Sequence, residues 1–146
     1  MPSFYPYLIA SLPLLHFEAR PPFSCEKFIL KCKEFIPESD FHLLQNLTLQ
    51  DTKSLSRPII KQWLDFDTGL RNELVKVRAE HKKIDPARYL RPDGYANSSL
   101  YHTAIAAHRN PSPLEGERLL DESRWKYLDG LLFGHYFDLD YLLIRI

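Results

Sequence analysis

The chain has 146 residues, 45% hydrophobic and 13% aromatic, with nine Phe, eight Tyr and two Trp, which is the usual size of one domain and too apolar for a disordered segment. Nineteen Lys and Arg balance nineteen Asp and Glu, so the positive field that gathers nucleic acid or anionic lipid is missing and a polyanionic partner is disfavoured. With only five Gly and no repeat or low-complexity tract, helices joined by Pro-containing turns are the natural partition. The fold class predicted is all-α, a single-domain helical bundle over residues 1–146 with about five to six helices and one long central helix.

The segment Phe4 to Leu15 is apolar, but no Lys or Arg precedes it and Pro6 and Pro13 interrupt it, so it reads as mature chain and not as a signal peptide. Its Tyr, Ile and Phe also suit a strand, and its conformation stays open. No apolar run approaches the roughly 18 residues needed to span a bilayer. Ser24 caps a helix predicted from Cys25 to Phe35 or Ile36, ended by Pro37, with Phe28, Ile29, Cys32, Phe35 and Ile36 on one face. Cys25 and Cys32 lie about 10 Å apart along that helix, too far to bridge. Both read as small apolar residues of a reducing compartment. Ser39 or Asp40 then caps Phe41 to Leu49, with Phe41, Leu44 and Leu47 inward, and Asp51 to Arg57 is a polar linker.

The long helix is predicted from Pro58 to Lys83, about 39 Å of rod. Ile59, Trp63, Phe66, Leu70, Leu74, Val77 and His81 keep one narrow apolar stripe that needs a partner helix. Asp85-Pro86 stops it, or recaps a short turn through Tyr89. A loop from Leu90 to Ala96 follows, then a helix from about Ser98 to Ala107. Ser112-Pro113-Leu114-Glu115 is a complete capping box for a helix from Pro113 to about Phe133, stopped by Gly134. Its broad apolar face contains Leu114, Leu120, Trp125, Tyr127, Leu128, Leu131 and Leu132, and Asp138 caps a last helix from Leu139 to Ile146.

Motifs that carry chemistry are missing from the string. There is no Glu-x-x-His pair or His-Glu-x-x-His for a metal, no Gly-x-Ser-x-Gly, no Cys-x-x-Cys and no phosphate-cradling loop. His102 and His108 point apart on a helix, while His16, His42, His81 and His135 are scattered singly and read as structural. The expectation is therefore no catalytic residue, no cofactor and no metal. From Arg71 to Arg91 seven bases face three acids, while Ser112 to Arg124 carries four acids and two bases. The asymmetry reads as solvated helix faces that could also steer an acidic protein partner. On the wheel of the Pro113 helix Glu117, Asp121 and Arg124 fall inside the apolar face, where charges need partners. The expectation is an ion pair tying Arg71 or Arg78 of the long helix to Glu117 or Asp121, with Arg124 meeting Asp121, in a structural role.

Three stretches carry a resemblance: Tyr7-Leu8-Ile9-Ala10-Ser11-Leu12-Pro13; Phe66 to Leu74 continuing to Arg78-Ala79; and Asn110 to Asp138, with Pro-Leu-Glu-Gly-Glu-Arg, Arg124-Trp125 and Gly134-His135-Tyr136-Phe137-Asp138. They resemble an uncharacterised bacterial family of small helical proteins encoded within V/A-type ATPase operons. The resemblance implies a counterpart of the C (or d) subunit, the helical adaptor that seats the central stalk on the membrane rotor ring. It also implies further chain after Ile146, because members of that family continue past the Gly-His-Tyr-Phe-Asp stretch. The function expected is a non-enzymatic structural or assembly component of such an ATPase. It would be cytoplasmic and peripheral to the membrane, and would act on protein partners with no nucleic acid. Candidate contact residues are Phe4, Tyr5 and Tyr7, the loop from Tyr89 to Tyr95, and Tyr141, Leu142 and Ile144. The alternative is a small helical enzyme or ligand-binding protein using Trp125, His135, Asp138 and Asp140.

Overall fold

Caps and closing turns divide this chain into helices, and most of them fall where the side chains require. The computed structural model describes residues 4–48, 57–92 and 97–146. These residues carry seven α-helices and a 3₁₀ turn and no strand: α1 (Pro6–Ser11), α2 (Cys25–Lys33), α3 (Glu38–Thr48), α4 (Pro58–Lys82), the turn Pro86–Arg88, α5 (Ser98–Arg109), α6 (Pro113–Leu131) and α7 (Leu139–Arg145). The fold is all-α, and the helix beyond the expected five to six is α1. There Pro6 pre-sets the first turn and Leu8 and Ile9 turn inward.

Ser24 Oγ accepts the Lys27 amide at 3.3 Å, and Asp138 Oδ1 accepts the Tyr141 amide at 3.0 Å, so α2 and α7 begin on their expected caps. α3 begins at Glu38, earlier than the residues offered as its cap. The Pro37 carbonyl accepts the Phe41 amide at 3.0 Å, which leaves Asp40 inside the first turn with its carboxylate taking the Tyr5 hydroxyl. The capping box at Ser112 is half formed. Ser112 Oγ accepts the Glu115 amide at 3.4 Å, but the Glu115 carboxylate takes Arg118 at 3.1 Å instead of reaching back. α4 is one continuous rod of 25 residues. It closes where Lys83 enters the left-handed region at φ 56° and the Ile84 amide reaches the Ala79 carbonyl at 3.0 Å. Most of the predicted linker, 51–56, and most of the predicted loop, 93–96, lie outside the described residues.

The structure divides into two compact units, residues 1–60 with 128–146, and residues 61–127. In the first, α2 packs on α3 and α3 on α7. Leu8, Phe28, Cys32, Ile36, Leu44, Leu139, Leu142 and Leu143 are buried there. Phe35, expected on the inner face of α2, is exposed, with its ring 5.6 Å from that of Tyr7. Burial pushes the Cys32 thiol up to about 11, so it stays protonated and inert at neutral pH. The stability gained from keeping it neutral is complete below its ordinary 9.0 and is lost as pH rises toward about 11.

The second unit is organised by the α4 stripe. Phe66, Leu70, Leu74 and Val77 bury against Leu100, Ala104 and Ala107 of α5 and Leu120 of α6. Burying one such Leu contributes about 1.5–3 kcal/mol. Tyr127 stacks flat on Phe66 with ring centroids 4.0 Å apart. His81 falls off the buried stripe; it is exposed, and its ring meets that of His108 at 5.3 Å. On α6 the inner positions are Gly116 and Leu120, and Leu114, expected on the apolar face, is exposed. The reason is close approach: a Cβ built on Gly116 would stand 2.6 Å from the Ala107 carbonyl oxygen. The backbone at the end of α5 occupies the space that a side chain would fill.

Two glycines of one helix therefore respond oppositely. Gly116→Ala is expected to lower stability by about 1–3 kcal/mol through overpacking. Gly130, with nothing within 4 Å of its virtual Cβ, is expected to gain about 0.5–1 kcal/mol on replacement by Ala. Urea denaturation midpoints of the two variants check the pair.

Candidate functional site

In the first unit a short loop delivers three ionisable side chains to one spot. After α6 the chain turns through 132–134, with Gly134 at φ +84° and the His135 amide donating to the Leu132 carbonyl at 2.9 Å. This turn faces His135 toward the start of α7. His135 Nδ1 stands 2.7 Å from Asp138 Oδ2 and 3.8 Å from Asp140 Oδ2. Asp140 Oδ1 accepts two bonds from Arg57, from Nε at 2.9 Å and Nη2 at 2.7 Å. All four side chains are between a fifth and a third exposed, so the cluster is partly desolvated yet reachable from water. An imidazole nitrogen facing two carboxylates can share a proton with them or present a lone pair to a cation.

Of the alternative set Trp125, His135, Asp138 and Asp140, the fold brings the last three together. Trp125 is a half-buried residue of α6 in the other unit. Arg57 was hidden within a stretch that reads as linker, and its partner is 83 residues away. The signal available was an unpaired Arg beside Pro58 at the mouth of a helix.

The expected contact residues fare unequally. Phe4, Tyr7 and Tyr89 are exposed. Tyr5 is half-buried, its amide donating to the Phe137 carbonyl at 2.7 Å. Tyr95 lies outside the described residues. Leu142 is 0% exposed and belongs to the core, because α7 turns Leu139, Leu142 and Leu143 inward. Tyr141 and Ile144 are half-buried, and the Tyr141 hydroxyl accepts from Arg145 at 2.9 Å. Phe133, Tyr136 and Phe137, which are not among the expected contact residues, are exposed and flank His135.

The charged face of α6 also differs from the wheel. Glu117 and Asp121 are exposed, since the buried line of α6 runs through Gly116 and Leu120 and leaves both on its border. Arg78 Nη2 comes to 4.0 Å from Glu117 Oε1 with both side chains more than half exposed. Arg71 pairs within its own helix, its Nε donating to Asp67 at 2.8 Å. The connection between α4 and α6 passes through Asp67, whose Oδ1 accepts from Arg124 Nε at 3.1 Å while Arg124 Nη1 holds Asp121 at 2.9 Å. A groove of about 350 Å³ is lined by His102 and Thr103 of α5 and by Leu119, Glu122 and Lys126 of α6. The Lys126 ammonium there is held by Glu122 at 3.0 Å.

No family model matches the chain, and no curated protein or solved structure matches it.

Asp67 is the shared acceptor of two guanidinium groups, so its loss should be felt more than loss of the exposed pair. Asp67→Ala, which takes one of its two carboxylate partners from a partly buried Arg124, is expected to cost about 1–3 kcal/mol. Arg78→Ala is expected to cost less than about 0.5 kcal/mol, as exposed pairs do. Thermal unfolding of both variants, followed by circular dichroism, checks the contrast.

Proposed function

We propose that the protein works by touching other polypeptides, as a non-enzymatic structural or assembly component associated with a V/A-type ATPase, peripheral to the membrane through that complex. The observation that carries the reading is a run of exposed aromatic side chains around one loop of the first unit. Phe133 is 85% exposed, Tyr136 61%, and Phe4, paired through its backbone with Asp138, 64%. Aromatic surface of that kind is enriched at the centres of protein interfaces, where large rings bury area at low entropic cost. The loop lies within the Asn110 to Asp138 stretch, one of the three on which the sequence resemblance rests, and the ATPase assignment is supported by that resemblance alone. Among the described residues no helix is long and apolar enough to cross a membrane. The second reading, a ligand-binding protein, is favoured by the meeting of His135, Asp138 and Asp140.

Affinity purification of the tagged chain from a host that expresses a V/A-type ATPase tests the proposal. Peripheral ATPase subunits are expected to co-purify, and Phe133→Ser combined with Tyr136→Ser is expected to abolish their recovery without changing helicity. Recovery no greater than from an untagged control would contradict the assignment.

A further inference from the structure

We propose that His135, Asp138 and Asp140 form a binding site for one divalent first-row transition-metal ion, with Zn²⁺ the best match. One donor atom from each of the three lies within 4.8 Å of the other two. A cation at about 2.0–2.2 Å from each donor would sit on the face of that triangle, with its remaining positions open to water. The observed separations of 2.7 and 3.8 Å from His135 Nδ1 straddle the spacing that such a face requires, so on these two edges the donors need only sub-ångström adjustment.

The outer contacts hold the donors in this arrangement. Asp138 Oδ1 is fixed by the Tyr141 amide and Asp140 Oδ1 by Arg57, which leaves the Oδ2 atom of each carboxylate turned toward His135. Metal carboxylates are oriented by such outer-shell hydrogen bonds. With a neutral imidazole, two carboxylates against one guanidinium leave a net charge of −1, which attracts a cation while Arg57 moderates the affinity. One imidazole with two carboxylates suits Zn²⁺ and its neighbours better than the all-oxygen preference of Ca²⁺ or Mg²⁺ or the thiolate preference of Cu⁺. The inference does not depend on the contact function proposed above. An ion here would stiffen the aromatic loop or activate a bound water, and binding itself is the claim.

The test uses the full chain, stripped with chelator and dialysed, with Zn²⁺ titrated calorimetrically and Co²⁺ followed by its visible absorption. One ion per chain is expected, with a dissociation constant of about 10 µM or tighter. His135→Ala and Asp140→Asn are each expected to weaken binding by about tenfold or more and to remove the Co²⁺ bands, with helicity retained. Asp138 is left intact because it caps α7. Absence of stoichiometric binding by the wild-type chain would overturn the proposal, leaving a His–Asp hydrogen bond that takes no ion. Undiminished binding in both variants would also overturn it, by placing the ion at other side chains such as the His81–His108 pair.

Discussion

Burial of a single stripe of α4 is the constraint on which the second unit depends. Phe66, Leu70, Leu74 and Val77 lie on one side of a rod, and a rod with one greasy side is stable only when that side is covered. α5 covers it with Leu100 and two small residues, Ala104 and Ala107, and α6 with Leu120. Small residues on α5 and the glycine at 116 let the backbones come close enough for Leu120 to reach the stripe. The packing therefore selects glycine at a place where helix propensity disfavours it.

In each unit a half-buried aspartate fastens elements far apart in sequence through an arginine: Asp67 with Arg124 in one, Asp140 with Arg57 in the other. Their surroundings differ. Asp67 sits beside a stacked Tyr127–Phe66 pair and serves register. Asp140 sits beside His135 and Asp138, where a third partner can enter. The same loop carries exposed rings, so the first unit concentrates both the polar chemistry and the apolar surface that the helix packing leaves unused.

Much of this was legible because helices announce themselves locally. Ser24, Ser112 and Asp138 mark starts through one side-chain bond each, and the 3–4 spacing from Ile59 to Val77 marks the long rod. What the sequence did not reveal depends on distance. The inner line of α6 from Leu120 onward follows the expected face, and its first turn differs because a helical wheel weights Leu114 for its hydrophobicity, whereas the neighbouring backbone selects Gly116 for its lack of a side chain. The Asp67 and Arg57 contacts join residues 57 and 83 positions away from their partners, which no periodicity encodes. His135 and Asp138 are only three apart, but their meeting requires the left-handed turn at Gly134, and His135 alone looked like any surface histidine. Leu142 is in the core because α3 packs against α7, a contact that its place near the end of the sequence does not encode.

Native-state amide hydrogen exchange tests the central claim most directly, namely that three helices share one apolar seam and open together. The account predicts that amides of Leu70 and Leu74 in α4, Ala104 in α5 and Leu120 in α6 exchange with the same free energy, equal to that of cooperative unfolding of residues 61–127. Release of the α5 amides at a much lower free energy, while those of Leu70 and Leu74 remain protected, would contradict it.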